Sequence, residues 1–252
     1  MAKAIVTALA VSGLAKRFGA VRAVDGVDFE VAAGELVAMI GPNGAGKSTC
    51  FNMLNGQLAP DAGTIRFAGT EIQGRRPREI WRLGVGRTFQ VAATFASMSV
   101  RENVQVALLS RHRRLADFWR RAAAQHVDAA DALLDRVGML AQAGRPCGVL
   151  AYGDLKRTEL AIALANEPRL LLMDEPTAGM APRERSALMG LAVSIVRERG
   201  IAVLFTEHDM DVVFRHADRI LVLDRGRIVA RGAPAGVRAD PEVRRIYLGS
   251  AP

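Results

Sequence analysis

The sequence predicts an α/β fold: a parallel sheet wrapped by helices, with a helical segment inserted into it. Three observations carry this. The near-continuous apolar run Leu36-Val37-Ala38-Met39-Ile40 reads as a strand buried on both faces, and a glycine-rich turn and a helix follow it at once. Beyond residue 158, helical and strand patterns alternate, the order that gives a parallel sheet covered by helices. Between about 95 and 150, Ala, Leu and Arg dominate and β-branched residues thin out, as in an inserted helical lobe.

Apolar alternation over 8–14 and 27–31 predicts two strands, and Ala33-Gly34-Glu35 predicts a turn before the strand at 36–40. A helix is expected over 48–58, a turn at Asp61-Ala62-Gly63, and a strand over 64–68 that ends at Gly69. Inside the lobe, Ala129, Ala132, Leu133 and Val137 recur at helical spacing over 128–137, and Arg145-Pro146 and Gly148 punctuate its end. A helix over 158–165, a buried strand over 170–173 and an amphipathic helix over 183–199 stopped by Gly200 come next. A strand over 201–206 precedes a hairpin whose arms, 219–223 and 228–230, flank Asp224-Arg225-Gly226. No internal repeat or low-complexity tract is visible.

A chain of 252 residues can bury one large core, or one core plus a small satellite lobe. The longest uncharged runs, 48–60 and 88–100, hold thirteen residues each, short of the ~18 that span a bilayer. Met1-Ala2-Lys3-Ala4-Ile5-Val6 holds one lysine and a short apolar stretch, but a secretory leader is not the expectation, because 11–18 already reads as folded domain. Cys50 and Cys147 have no metal-ligand spacing and are expected as small buried residues without a disulfide. The net charge of +8 comes from arginines scattered along the chain, with only four lysines. Such a balance permits contact with nucleic acid, anionic lipid or an acidic partner, but scatter of this kind reads better as a solvated surface. Arg111, Arg113, Arg114, Arg120 and Arg121, interleaved with Phe118 and Trp119, form either a partner- or lipid-facing surface or a solvated helix face, and the second is the simpler reading.

The chemistry begins at Gly41-Pro42-Asn43-Gly44-Ala45-Gly46-Lys47-Ser48-Thr49, the phosphate-binding P-loop pattern in its strand-then-helix setting. Gly41, Gly44 and Gly46 let the backbone turn tightly and aim N–H groups at phosphate oxygens. The following helix adds the positive end of its dipole. Lys47 brings a point charge to the β- and γ-phosphates, and the Ser48 hydroxyl can ligate Mg²⁺. ATP and Mg²⁺ are the expected ligands. Leu170-Leu171-Leu172-Met173-Asp174-Glu175 is an apolar strand ending in two acids, placed where a parallel strand's carboxyl end projects into a ligand crevice. Asp174 is then suited to hold Mg²⁺, and Glu175 to polarise an attacking water. His208 also follows a strand and could hydrogen-bond a γ-phosphate, although a lone histidine is more often structural. Gln90, at the junction with the lobe, could bind Mg²⁺ or water, and is uninformative alone. Phe18 could stack on adenine, although a core aromatic is the commoner role.

Together these residues resemble the nucleotide-binding subunit of an ABC transporter. The decisive segment is Leu150-Ala151-Tyr152-Gly153-Asp154, twenty-odd residues before Asp174-Glu175, where that family carries its signature. The resemblance covers about 9–248. It implies a RecA-like P-loop ATPase core with an antiparallel β subdomain and an inserted helical subdomain: a single ABC ATPase domain over 1–252, with core and β subdomain at 8–94 and 151–252 and the helical subdomain at 95–150. By resemblance Phe18 stacks adenine, 41–49 binds phosphate, Gln90 is the Q-loop glutamine, Ala151, Tyr152, Gly153 and Asp154 belong to the signature, and His208 is the switch histidine. Glu175, His208, Lys47 and Gln90 are thus the candidate catalytic residues, and Ser48, Gln90 and Asp174 the candidate Mg²⁺ ligands.

Within the family the chain looks most like the ATPases of branched-chain amino-acid importers. The segments that carry this are Gly86-Arg87-Thr88-Phe89-Gln90, Leu150-Ala151-Tyr152-Gly153, residues 174–182, and the closing stretch from Pro241 to Tyr247-Leu248-Gly249. The resemblance implies a head-to-tail dimer with an identical or paralogous ATPase, two integral-membrane permease subunits, an extracytoplasmic solute-binding protein served indirectly, no nucleic acid, and a peripheral location on the cytoplasmic face of the plasma (inner) membrane. A lipid or polysaccharide exporter ATPase, a soluble ABC protein acting on nucleic acid and a non-catalytic regulatory subunit are the competing readings, the last opposed by the intact Glu175 and His208. Two departures stand out. Ala151 lacks the hydroxyl that most family signatures carry, leaving the backbone and the helix start, which Asp154 is expected to cap. Ala181 stands where many relatives have Asp in the dimer-contact loop.

Overall fold

Two sheets organise the computed structural model, which describes residues 6–88, 94–111 and 125–248. The first is antiparallel. It joins β1 (Thr7–Phe18), β2 (Val21–Ala32), β4 (Ala62–Phe67) and the short β5 (Thr70–Glu71) in the order β2-β1-β4-β5. The second joins β3 (Leu36–Ile40), β6 (Val85–Thr88), β7 (Leu170–Asp174), β8 (Ala202–Thr206), β9 (Arg219–Asp224) and β10 (Arg227–Gly232) in the order β10-β9-β3-β8-β7-β6. Every pairing in it is parallel except β9 with β10. The α/β class read from the sequence is the class observed.

The period of two explains why these strands look continuously apolar. Leu36, Ala38 and Ile40 face one core, whereas Val37 and Met39 face the other. In β8, Val203 and Phe205 join the first core, and Ala202 and Leu204 the second. Successive side chains point to opposite faces, so a strand buried on both sides has no polar face to show. The second core also takes Leu9, Val11, Phe29 and Val31 from the antiparallel sheet and Phe51 from α1 (Lys47–Leu54).

α2 (Pro77–Arg82) adds Ile80 to that second core. The other face is covered by α3 (Val100–Arg111), α4 (Val127–Arg136), α5 (Tyr152–Leu164), α6 (Pro182–Arg199), α7 (Met210–His216), α8 (Pro234–Ala239) and α9 (Pro241–Leu248). Val104 and Leu108 of α3, Leu133 and Leu134 of α4 and Leu160 of α5 lie in the same buried cluster as the sheet residues Leu171 and Phe205. Among the described residues, the helical segment therefore shares the main core. Among the described residues, no helix is long and apolar enough to cross a membrane.

Several boundaries differ from expectation. The helix expected over 48–58 stops at Leu54, because the Asn55 side chain accepts the Gln57 amide at 3.0 Å and turns the chain. Of the turn expected at Asp61-Ala62-Gly63, Ala62 and Gly63 belong to β4; Asp61 accepts Lys16 Nζ and the Arg17 amide at 2.7 Å each and docks the chain against β1 one step early. The strands at 8–14 and 27–31 lengthen to Phe18 and back to Val21, since Phe18 pairs with Val21 and Arg17 with Arg22. Those ends are exposed and show no alternation. The helix at 158–165 begins at Tyr152. The hairpin forms as read, with Arg225 and Gly226 both at positive φ, 45° and 81°, the two-residue turn that suits twisted strands. Both cysteines are free and buried; burial pushes the Cys50 thiol up to about 12.

Candidate nucleotide site

The P-loop leaves the carboxyl end of β3 and enters α1 at Lys47. Its path is set by close approach. A Cβ on Gly41 would lie 2.1 Å from the Leu223 carbonyl oxygen, and one on Gly46 would lie 2.3 Å from the Ala23 oxygen, where φ is also +106°. The loop is thus pressed between β9 and β2, and the Gly226 amide fastens it by donating to the Ala45 carbonyl at 2.9 Å.

Gly46 caps α1 without a side-chain bond, and the helix's first turn carries no acid. Most helices fill that position with Ser, Thr, Asp or Asn. The uncapped first-turn amides and the helix dipole are therefore left for an external anion. Pro42 and Thr49 are partly exposed, Asn43, Gly44 and Ser48 exposed, and Ala45 buried. Lys47 is 7% exposed and donates to the carbonyls of Gly41 at 2.6 Å and Pro42 at 3.1 Å. Burial holds its ammonium below the ordinary value, while the nearby Glu175 and Asp174 carboxylates pull the other way. The P-loop lysine thus lies within electrostatic reach of both strand-end acids.

Asp174 ends β7 and sits in register with Thr206 at the end of β8. Its Oδ1 accepts the Thr206 hydroxyl at 2.8 Å, and its Oδ2 faces Arg87 Nη2 at 3.3 Å. Arg87 also donates to Asn52 Oδ1 of α1 at 3.1 Å and to Gln57 at 2.9 Å, linking the P-loop helix to the acid. Glu175 adopts φ +46°, a left-handed conformation costly for a residue with a side chain. Two bonds hold it there: its amide donates to the Thr206 carbonyl at 3.2 Å and to the Thr206 hydroxyl at 3.0 Å. Its carboxylate lies 2.7 Å from His208 Nε2. Beneath them the buried Glu207 accepts both the amide (2.9 Å) and the hydroxyl (2.6 Å) of Thr177.

Other expected residues lie elsewhere. Phe18 is 52% exposed, so it is not the core aromatic; Lys16 Nζ stands 5.9 Å from its ring. Ala151 precedes α5, and Tyr152, Gly153 and Asp154 form the helix's first turn. A Cβ on Gly179 would lie 3.6 Å from Tyr152 Cε1, which places the tyrosine over the loop that follows Glu175. Asp154 does not cap α5: the cap position is Ala151, without a side-chain bond, and Asp154 accepts Gln142 Nε2 at 2.9 Å instead. Ala181 is the N-cap of α6. Gln90 lies outside the described residues, as do Arg113, Arg114, Phe118, Trp119, Arg120 and Arg121. Arg111 pairs with Glu167 at 2.5 Å.

Sequence reasoning passed over the roles of Arg87, Thr206 and Glu207. Thr206 ends an apolar strand and Glu207 links it to His208, a signal present in the sequence. Nothing in the local sequence around Arg87 points to Asp174.

The fold and this strand-end constellation define the class, a P-loop nucleotide-binding protein of the parallel-sheet type. The family model for ABC transporters matches residues 24–178, and the model described as branched-chain amino acid ATP-binding cassette transporter matches 227–252. The high-affinity branched-chain amino acid transport ATP-binding protein LivG of Salmonella typhimurium is 40% identical over 96% of this chain and 98% of its own. BraF of Pseudomonas aeruginosa, described in the same words, is 41% identical over the same shares. Among solved structures, a nucleotide-free ATP-binding cassette from an ABC transporter superposes with a TM-score of 0.86 at 30% identity, over 97% of this chain and 100% of that one. Another cassette, in its ADP conformation, gives 0.86 at 32%, over 97% and 99%. The chain belongs to the ATP-binding subunits of ABC transporters. Members of that family hydrolyse ATP to power transport, and the chain is accordingly an ATPase.

Proposed function

We propose that this chain binds MgATP between its P-loop and the signature of a second ATPase subunit, and drives a membrane permease that imports branched-chain amino acids or related small polar solutes. The observation that carries the reading is the gathering of Lys47, Asp174, Glu175 and His208 on one edge of the parallel sheet, with Lys47 under the influence of both acids. The substrate class rests on the match of the C-terminal segment and on what LivG and BraF are named for.

In this reading the amides of 41–47 and the start of α1 cradle the phosphates, and Lys47 exchanges its loop carbonyls for phosphate oxygens. Ser48 and Asp174, hard oxygen donors of the kind Mg²⁺ takes, would hold the ion. When bound, the ion neutralises charge on the transferring phosphoryl group. Glu175, oriented by Thr206, accepts a proton from the attacking water, and His208 holds Glu175 on one side and the phosphate on the other. Gln90 is assigned to the metal and water, and Phe18, being exposed, is free to stack on adenine. Ala151, Tyr152, Gly153 and Asp154 present the start of α5 to the nucleotide of the opposite subunit. A closed dimer is favoured while the γ-phosphate is present and loses that gain afterwards.

We assign one ABC ATPase domain to 1–252, with the helical subdomain at 95–150. The subunit would sit peripherally on the cytoplasmic face of the membrane. To a cytoplasmic helix of the permease we assign the groove of about 290 Å³ whose lining joins Pro77, Ile80, Trp81 and Ile162 to Arg78 and Arg87.

The test is ATP binding and phosphate release by the purified chain with its permease partners. Lys47→Ala is expected to lose ATP affinity. Glu175→Gln is expected to bind ATP, to turn over at least about 100-fold more slowly, and to accumulate a dimer. Near-normal turnover in Glu175→Gln removes Glu175 from the base role.

A further inference from the structure

One side chain on α6 ties together the loop after β7 and the loop after β8. Arg185 forms an ion pair through Nη1 with Asp209 Oδ2, and its Nη2 donates to the Met180 carbonyl at 3.0 Å. Asp209 directly follows His208. Its other oxygen caps α7, accepting the amides of Asp211 at 2.9 Å and Val212 at 3.2 Å. Burial raises the Asp209 carboxyl, but the Val212 amide, the Arg185 guanidinium and the Asp211 amide outweigh it and hold the group below its ordinary value. Met180 belongs to the stretch that runs from Glu175 to α6. Since His208 Nε2 lies 2.7 Å from Glu175 Oε1, the contacts close a ring: Glu175, His208, Asp209, Arg185, Met180 and back along the chain.

We propose that Arg185 is a positioning residue that fixes His208 relative to Glu175 by gripping both loops at once. The proposal rests on the roles given above to Glu175 and His208. Its geometry needs arginine. The planar guanidinium reaches two acceptors in different directions, whereas a lysine ammonium is a single point on a flexible stem. The bonds also divide cleanly. Asp209 caps α7 through Oδ1 without Arg185, so breaking the ion pair leaves the helix start intact. Both side chains are about one quarter exposed, 25% and 26%, and they border a cavity of about 120 Å³ between α6 and α7. Truncating Arg185 therefore opens no void in the core.

The experiment measures steady-state ATP turnover of the full chain assembled with its permease partners, for Arg185→Met, Arg185→Lys, Asp209→Asn and the Arg185→Met/Asp209→Asn double variant. Asp209→Asn keeps a capping oxygen and loses the charge. The expected result is a kcat about 10-fold lower in Arg185→Met and in Asp209→Asn, a KM for ATP within about twofold of the parent, and a double variant no slower than either single one, as two ends of one interaction should behave. Arg185→Lys, holding one loop, is expected to stay below half the parental kcat. A purely structural role would lower the melting temperature and leave the kcat of the folded protein unchanged. An unchanged kcat in Arg185→Met, or single losses that multiply in the double variant, overturns the proposal. Glu175→Gln separates the two failures. If it stops turnover while Arg185→Met does not, only the role of Arg185 falls. If Glu175→Gln turns over normally, the reading of the site itself falls.

Discussion

Thr206 donates its hydroxyl to Asp174 at 2.8 Å across the β7–β8 pair, and the same oxygen accepts the Glu175 amide at 3.0 Å. One buried side chain thus sets the direction of the acid assigned to the metal and holds the strained backbone of the acid assigned to the water. A left-handed Glu175 persists only because its surroundings over-determine it, and Thr206 supplies two of those restraints.

Thr206→Val tests this. Valine keeps the volume and removes the hydroxyl, leaving Asp174 and the Glu175 amide short of a partner. A loss of about 1–3 kcal/mol in unfolding free energy is expected, with ATP turnover slowed by about 10-fold and ATP affinity little changed. Denaturant melts and steady-state kinetics read the two effects separately. Parental values for both would mean that Glu175 is held by other contacts.

Gly46 and Gly44 should respond differently to alanine. At Gly46 the new Cβ meets the Ala23 carbonyl oxygen at 2.3 Å, whereas at Gly44 nothing lies within 4 Å. Gly44→Ala should cost only the left-handed conformational term of about 1–2 kcal/mol. Gly46→Ala must also move β2 or the loop, and should weaken binding of a fluorescent ATP analogue by at least tenfold more than Gly44→Ala does. Equal effects would remove the close contact with β2 as the reason for the glycine.

Glu35 and Arg219 join the β2–β3 turn to β9. The guanidinium meets both carboxylate oxygens, at 2.7 and 2.9 Å, and the Ala32 amide adds a bond at 2.8 Å. Burial raises the Glu35 carboxyl, but Arg219 and the Ala32 amide outweigh it and leave it below its usual 4.5. A carboxyl lowered by folding contributes stability above its unfolded value, and that contribution is lost as pH falls through the folded one. Unfolding free energy should therefore drop on acidification below about pH 4.5, and Glu35→Gln should flatten the drop while lowering stability at pH 7. Melts of both proteins from pH 7 to pH 3 provide the measurement. An unchanged slope in the variant would remove Glu35 from the acid response.

The legible parts of the site were those written in short stretches. The P-loop spacing, the two acids after 170–173 and the histidine after 201–206 each occupy a few consecutive residues with a strong apolar run before them. Asp154 was misread because capping depends on the exact helix start, and no apolar periodicity marks Tyr152 as that start. β6 was invisible because four residues interrupted by Arg87 carry too little pattern, and it is a strand because β7 is there to pair with it.

The chain's order of residues by itself determined the α/β class, the phosphate loop and the two-faced central strands, because glycine spacing and the period of apolar side chains are local properties. Tertiary structure alone decided that Arg87 would meet Asp174 across 87 residues, Thr206 across 32 and Arg185 Asp209 across 24. Strand order and register bring such groups together, and they emerge only when both faces of the sheet are packed at once.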